Sequence, residues 1–300
     1  VNLLVIVGLV FSLIGNAGIA VAKPISGIFN GGESKSNNQP ISESSYVPQP
    51  KARPDFKKFN TMASQALIYD TDSGVKLLEK DIDSPKPIAS LTKLMTALII
   101  MEDHKPSEIV TVGKLPTLGL EDQKMGLVEG EEIEVGELLK ALLIYSANDA
   151  ANALAIYDSG SLENFSIKMN DKATQWGLTK TKFEDPSGLS PNNTSSANDL
   201  LKIASILSVN DTFKNITSTA YTKVSNLSGK QYDITTTNKI LGLGGVVGMK
   251  TGFTLEAGQC LITAAQRNGR RIITIVLNSP DRFQESKNMV EWSFKNYIWQ

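Results

Sequence analysis

The sequence predicts an α+β fold, an antiparallel β-sheet flanked by helices with a mostly helical subdomain between its first and last strands. Three observations lead there. Short apolar runs, Ala66-Leu67-Ile68-Tyr69 and Val75-Lys76-Leu77-Leu78, flank the turn signal Asp72-Ser73-Gly74. Helix-periodic segments fill the middle of the chain, and strand-like runs return from Met249 before a closing helical stretch. Strands, then helices, then strands, then a helix is the order of an α+β domain rather than of alternating βα units.

Composition bounds the rest. Three hundred residues, 41% hydrophobic and 20% charged, suit one large globular domain or two small ones. A net charge of −1, from 30 basic and 31 acidic residues, gives no basic excess for nucleic-acid binding. The single cysteine, Cys260, excludes an intramolecular disulfide and a Cys-rich zinc site. It lies in an apolar run, Cys260 to Ala265, and reads as a buried strand residue rather than a catalytic thiol. The single histidine, His104, sits in Glu102-Asp103-His104-Lys105-Pro106 and reads as an exposed loop residue. No HExxH helix is present, and neither a metal nor a cofactor is expected.

Leu3 to Ala22 is almost wholly apolar, and Ala20-Val21-Ala22 before Lys23-Pro24 is a small-x-small site. Residues 1–22 are therefore expected to be an export signal or an N-terminal membrane anchor. Residues 31–55 are rich in Gly, Ser, Asn, Gln and Pro, so 23–55 is expected to be a flexible linker and 56–300 the folded domain.

Within that domain, Ile88 to Met101 is apolar nearly all round and follows Pro85 and Pro87, predicting a buried helix. Val135, Leu138, Leu139, Leu142 and Leu143 keep helical spacing up to Tyr145. Ser146-Ala147-Asn148 breaks that helix, and an alanine-rich one starts at Asp149 and runs to Tyr157; Asn198 to Leu207 is helical too. Met249 to Gly252 reads as a strand, Cys260 to Gln266 and Arg271 to Asn278 as a hairpin about Asn268-Gly269, and Gln284 to Tyr297 as the last helix.

Three short motifs carry chemistry. Ser-x-x-Lys arises by chance about once in a chain of this size, and here it occurs at Ser73 and at Ser90. The first spans a turn. The second, Ser90-Leu91-Thr92-Lys93, starts a helix, where positions i and i+3 share a face and the lysine amine can approach the serine hydroxyl. Free backbone N–H groups at that helix start favour a developing oxyanion and disfavour a charged lysine. A neutral Lys93 is a general base, if burial and a second cation lower its pKa from about 10.4. Lys250, in Lys250-Thr251-Gly252, supplies such a cation and one suited to a substrate carboxylate, with Thr251 adding a hydroxyl and nearby glycines allowing close approach. Strand alternation, however, sends Lys250 and Thr251 to opposite faces. Ser146 and Asn148 are equally good helix caps, a role that does not exclude a chemical one for Ser146.

In this order the motifs resemble those of serine-type D-alanyl-D-alanine carboxypeptidases, the low-molecular-mass penicillin-binding proteins. The flanks are similar too: Pro87 to Ala97, Ser146 to Ala155, Gly248 to Thr254, and Phe183-Glu184-Asp185-Pro186-Ser187-Gly188-Leu189. The resemblance, over about residues 60–297, implies a β-lactamase/transpeptidase-like fold and a D,D-carboxypeptidase acting on peptidoglycan stem peptides that end in D-Ala-D-Ala. It implies Ser90 as nucleophile, Lys93 as base and Ser146 as proton relay. Asn148, Lys250, Thr251 and Gly252 would bind substrate, and the backbone N–H groups of Ser90 and Phe253 would form an oxyanion hole. Arg282 is a further candidate near the carboxylate. It further implies inhibition by β-lactams and an exported, extracytoplasmic location, in a periplasm or at a cell surface, secreted or N-terminally anchored. The rival readings are a D,D-endopeptidase of the same chemistry, a class A-like β-lactamase, and a non-catalytic penicillin-binding sensor. The Ser-Ala-Asn triplet and the missing Glu-x-x-Leu-Asn segment speak against the β-lactamase.

Overall fold

The structure, a computed structural model, describes residues 47–120 and 122–300. The apolar N-terminal run and most of the expected linker lie outside the described residues. The first element, β1 (Pro50–Ala52), already belongs to the fold, so order begins before Phe56, where composition placed it. Pro50-Lys51-Ala52 shows no apolar alternation, and the strand exists because a distant partner, described below, pairs with it.

A hairpin follows, β2 (Gln65–Asp70) and β3 (Lys76–Lys80), about the Asp72-Ser73-Gly74 turn. The short strand β4 (Lys86–Pro87) leads into a 3₁₀ turn, Ala89–Thr92, and then α1 (Lys93–Asp103). Every residue of α1 from Lys93 to Ile100 is buried, which fits its apolar circumference. Strands β5 (Ile109–Thr111) and β6 (Glu132–Glu134) pair and deliver the chain to α2 (Val135–Lys140). The expected helix up to Tyr145 is completed by a single π turn, Ala141–Tyr145, and the break at Ser146 separates it from α3 (Asn148–Ser159). Next come α4 (Leu162–Gln175), the two-residue β7 (Thr194–Ser195) paired with β4, α5 (Ala197–Val209) and α6 (Asp211–Thr217). Strands β8 (Tyr221–Ser225) and β9 (Gln231–Thr235) form a separate hairpin.

The long strands β10 (Val246–Thr254), β11 (Gly258–Arg267) and β12 (Arg270–Ser279) complete the main sheet before α7 (Arg282–Asn296) and β13 (Tyr297–Trp299), the partner of β1. The main sheet is antiparallel throughout, in the order β10-β11-β12-β2-β3, so the N-terminal hairpin joins the C-terminal meander through β12 and β2. The turn between β11 and β12 is Asn268-Gly269, both at positive φ, 50° and 75°, as a two-residue hairpin of the I′ kind requires.

Two cores follow from the period-two alternation of this sheet. Leu67, Ile262, Ile273 and Ile275 point to one side and pack with α1, α3 and α5. Ala66, Ile68, Leu261, Ile272 and Val276 point to the other and pack with Met289 and Val290 of α7. Helices cover both faces, and the edge strand β10 is left beside the helical subdomain.

His104 departs from expectation. Its Nδ1 lies 2.8 Å from a Glu108 oxygen and its Nε2 3.0 Å from Asp158 Oδ1, with the ring against Tyr157. It ties the end of α1 to α3 instead of sitting free in a loop. The stretch around it reads as a loop because the partner, Asp158, is 54 positions away.

Candidate active site

The 3₁₀ turn brings Ser90 and Lys93 together as the helical register predicts. Lys93 Nζ lies 3.0 Å from Ser90 Oγ. It also donates to Asn148 Oδ1, 2.6 Å away, and to the backbone carbonyl of Ser187. The lysine is fully buried, and burial pulls its pKa from 10.5 down to about 7, against the opposing pull of Asp185, Asp149 and Asp122. Near neutral pH a large fraction of it is therefore the free amine. The other Ser-x-x-Lys pair does not meet: Ser73 Oγ donates to the Asp70 carboxylate and Lys76 pairs with Glu79.

Ser146 and Asn148 do not cap α3. The cap position is Ala147, without a side-chain bond, whereas Ser161, Ser196, Asn210 and Asp281 do cap their helices. Ser146 has left-handed backbone geometry, φ 66°, costly for a serine and found where neighbouring structure enforces it. Its hydroxyl oxygen accepts from Lys250 Nζ at 2.8 Å. The hydroxyl's one hydrogen is thus left to point elsewhere. Asn148 is held by its backbone N–H on the carbonyl of Gln123, 2.8 Å away.

The alternation objection to Lys250-Thr251 dissolves at the sheet edge. Lys250 pairs in register with Ile262 and Thr251 with Leu261, whose side chains belong to the two opposite cores. The long lysine stem crosses to Ser146, while the Thr251 hydroxyl meets that of Thr237 at 2.6 Å. Among the described residues β10 is an edge strand, so Thr251 lines the cleft while the buried Lys250 reaches it through Ser146. Burial, then the charges of Lys93 and Arg282, hold the Lys250 pKa well below the usual lysine value. Gly252 is required by close packing: a Cβ there would sit 2.9 Å from the Ile88 carbonyl oxygen and 3.3 Å from the backbone nitrogens of Ser90 and Leu91. That approach sets the backbone of Phe253 beside the Ser90 turn, while the Phe253 side chain stays exposed at the rim. Arg282, the first residue of α7, is half-buried and donates to the Gly252 carbonyl. Ser90, Ser146, Asn148, Thr251, Gly252 and Phe253 thereby line one cleft of about 520 Å³.

Sequence reasoning missed three contributors. Thr237 reaches Thr251 from the stretch after β9. Asp149, expected only to start a helix, accepts from the backbone N–H groups of Met125, Gly126 and Leu127 and pins the loop beside Asn148. The Ser187 carbonyl touches Lys93, and its signal was the similarity of the segment Phe183 to Leu189, which carries no reactive side chain of its own at that point.

The chain is similar to known proteins over most of its length. Residues 51–281 match the family described as D-alanyl-D-alanine carboxypeptidase. The chain is 32% identical over 264 residues to the D-alanyl-D-alanine carboxypeptidase DacF of Bacillus subtilis, covering 84% of this chain and 68% of DacF. It is 33% identical to DacC of Escherichia coli, covering 76% of this chain but only 60% of that protein. It is 35% identical to a D-alanyl-D-alanine endopeptidase of Haemophilus influenzae, covering 67% and 70%. Among solved structures, the Streptomyces K15 DD-transpeptidase superposes with a TM-score of 0.73 at 29% identity, over 80% of this chain and 99% of that one. Penicillin-binding protein D2 of Listeria monocytogenes, in its cefotaxime-bound form, gives 0.69 at 31%, over 79% and 99%. With the family matched over most of the chain and the three motifs converging on one cleft, the chain belongs to the D-alanyl-D-alanine carboxypeptidase family of penicillin-binding proteins.

Proposed function

We propose that this protein is an exported serine D,D-carboxypeptidase that removes the terminal D-alanine from peptidoglycan stem peptides. The observation that carries the reading is the pairing of Ser90 with a buried Lys93 whose other two neighbours, Asn148 Oδ1 and the Ser187 carbonyl, only accept hydrogen bonds. A neutral amine has two N–H bonds and one lone pair. With both N–H bonds spent on those acceptors, the lone pair faces the Ser90 hydroxyl.

Ser90 Oγ attacks the carbonyl carbon between the two D-alanines as its proton passes to Lys93. The developing oxyanion is met by the backbone N–H groups of Ser90 and Phe253. Ser146, whose oxygen is held by Lys250, gives its proton to the departing amine as the C–N bond breaks and takes in return the proton that Lys93 accepted from Ser90, which restores both the hydroxyl and the neutral amine. Water then cleaves the Ser90 ester, giving the shortened peptide and the free hydroxyl. Lys250, Thr251 and Arg282 form the pole that receives the terminal carboxylate. β-Lactams present a reactive amide and a carboxylate in similar places and acylate Ser90, a reading supported by the cefotaxime- and ampicillin-bound penicillin-binding protein D2. Residues 1–22 serve as export signal or N-terminal membrane anchor, and the stretch after them leads to the catalytic domain.

A second reading, D,D-endopeptidase, is favoured by relatives that carry that name. Labelled penicillin and two substrates decide. Wild type is expected to form a covalent adduct, Ser90→Ala none, and D-alanine release from a pentapeptide to outpace cleavage of cross-linked dimers. No wild-type adduct, or an adduct on Ser90→Ala, overturns the enzyme assignment; faster dimer cleavage overturns the carboxypeptidase preference. Rapid, repeated hydrolysis of penicillin would instead identify a β-lactamase.

A further inference from the structure

We propose that Asp185, which lies in none of the three motifs, is the positioning residue for the base Lys93, acting through the Ser187 carbonyl and through its own charge. The inference rests on Lys93 being the base.

The segment Asp185 to Ser190 is a tight loop folded around one carboxylate. Asp185 Oδ1 accepts from Ser187 N at 2.7 Å, Ser187 Oγ at 2.6 Å and Gly188 N at 2.6 Å. Its Oδ2 accepts from Ser190 N and from Asn193 Nδ2, each at 2.7 Å. Burial alone would raise the Asp185 pKa, yet these donors outweigh it and hold the group below the usual carboxylate value, so it is an anion at neutral pH. The loop is also wedged against the nucleophile. Gly188 has φ 87°, and a Cβ on it would lie 2.1 Å from the Ala89 carbonyl oxygen and 2.9 Å from Ser90 N. Asn193 fastens the other side, its Oδ1 accepting from Glu184 N at 2.6 Å.

The consequence for Lys93 is geometric. Of its three neighbours, Asn148 Oδ1 is fixed by α3, and Ser90 is the group to be deprotonated. The Ser187 carbonyl alone is held by a loop, and that loop is held by Asp185. If the carbonyl swings away, one N–H of the amine loses its acceptor, and the lone pair is no longer confined to Ser90. Effective proton transfer needs this alignment, and misplacement by about 1 Å can cost roughly a hundredfold. The electrostatic consequence has a defined sign. Asp185 is the strongest of the three carboxylates that favour protonated Lys93. Removing its charge, and the carbonyl bond to Nζ, makes the ammonium less favourable, so Lys93 deprotonates at lower pH.

The test is the second-order rate of acylation by labelled penicillin against pH, using the full chain. Wild type rises with pH as Lys93 loses its proton. Asp185→Asn keeps the size but turns an NH₂ toward Ser190 N–H or Asn193 Nδ2. It is expected to lower the plateau about 10- to 100-fold and to move the acid limb to lower pH. Asp185→Glu retains the charge one methylene away, and should lower the plateau while leaving the limb near wild type. Glu184→Gln removes the neighbouring exposed charge and should change neither. A wild-type plateau and limb in Asp185→Asn, a full rate in Asp185→Glu, or an equal limb shift in Glu184→Gln overturns the proposal. So does loss of activity that tracks loss of folded protein in both Asp185 variants, which makes Asp185 a structural anchor only. An adduct absent from wild type would refute the enzyme reading instead, which keeps the two failures apart.

Discussion

Lys93, the base of the proposed reaction, has its state set by burial rather than by a partner anion. A lysine at 10.5 offers about one free amine in several thousand at pH 7, while one lowered to about 7 offers roughly half. Acylation by a β-lactam is therefore expected to rise about tenfold per pH unit below 6 and to level off above 8, measured with stopped-flow or gel-based adduct formation. A limb centred near 10 would show that Lys93 is an ordinary ammonium. Lys93→Arg, which cannot deprotonate, is expected to lower acylation by at least about 10³-fold. The meeting of Ser90 and Lys93 was legible because they are three residues apart on one turn, where side-chain chemistry and local geometry are both written in the sequence. The Ser187 carbonyl was not, since any residue type carries one and only the fold decides which backbone oxygen meets the amine.

Elements, rather than residues, determine whether the cleft is assembled. Strand β10 lies on the Ser90 turn at Gly252, with no room for a methyl group. Gly252→Ala is expected to push strand and turn apart and to lower acylation about 10²-fold, with a loss of stability of about 1–3 kcal/mol; unchanged kinetics would mean that the backbone of Phe253 does not serve the oxyanion. A second element-level device is the His104 tie between α1 and α3. Burial lowers the imidazole pKa, but hydrogen bonds to Glu108 and Asp158 outweigh that and raise it overall. A raised folded-state value makes the tie's stabilisation complete below the unfolded value near 6.5 and lost as pH rises through the folded one. His104→Ala is accordingly expected to cost about 1 kcal/mol in urea unfolding at pH 5.5, and less at pH 8.5. Apolar periodicity revealed α1 and the β11–β12 hairpin, but not this tie, whose partners are separated by most of the helical subdomain.

Across the whole molecule, the sheet was foreseeable in its strands and in the participation of the N-terminal hairpin, since Ala66 to Tyr69 is a continuous apolar run and Ile272 to Leu277 is interrupted only by Thr274. What composition hid was β1. Gln49 N donates to Gln300 O at 2.8 Å and Arg53 N to Asn296 O at 2.9 Å, closing the strand onto β13 beside an aromatic group of Phe56, Trp292 and Tyr297. A chain starting at Phe56 is expected to melt about 3–8 °C below one starting at Val47, by calorimetry. Equal melting temperatures would make β1 an ornament of the fold.

The same strand pair has another consequence. Gln49 and Gln300 are hydrogen-bonded to each other, so these two positions lie side by side in the fold. Joining these two residues by a few glycines and opening the chain within the exposed Leu227 to Lys230 stretch, between β8 and β9, gives a circular permutant. That reordered chain carries Ser146 behind the Lys250 segment and Ser90 between them, in sequence though not in space. Its ability to capture penicillin would then depend on the folded cleft alone, independent of the order in which the three motifs are written.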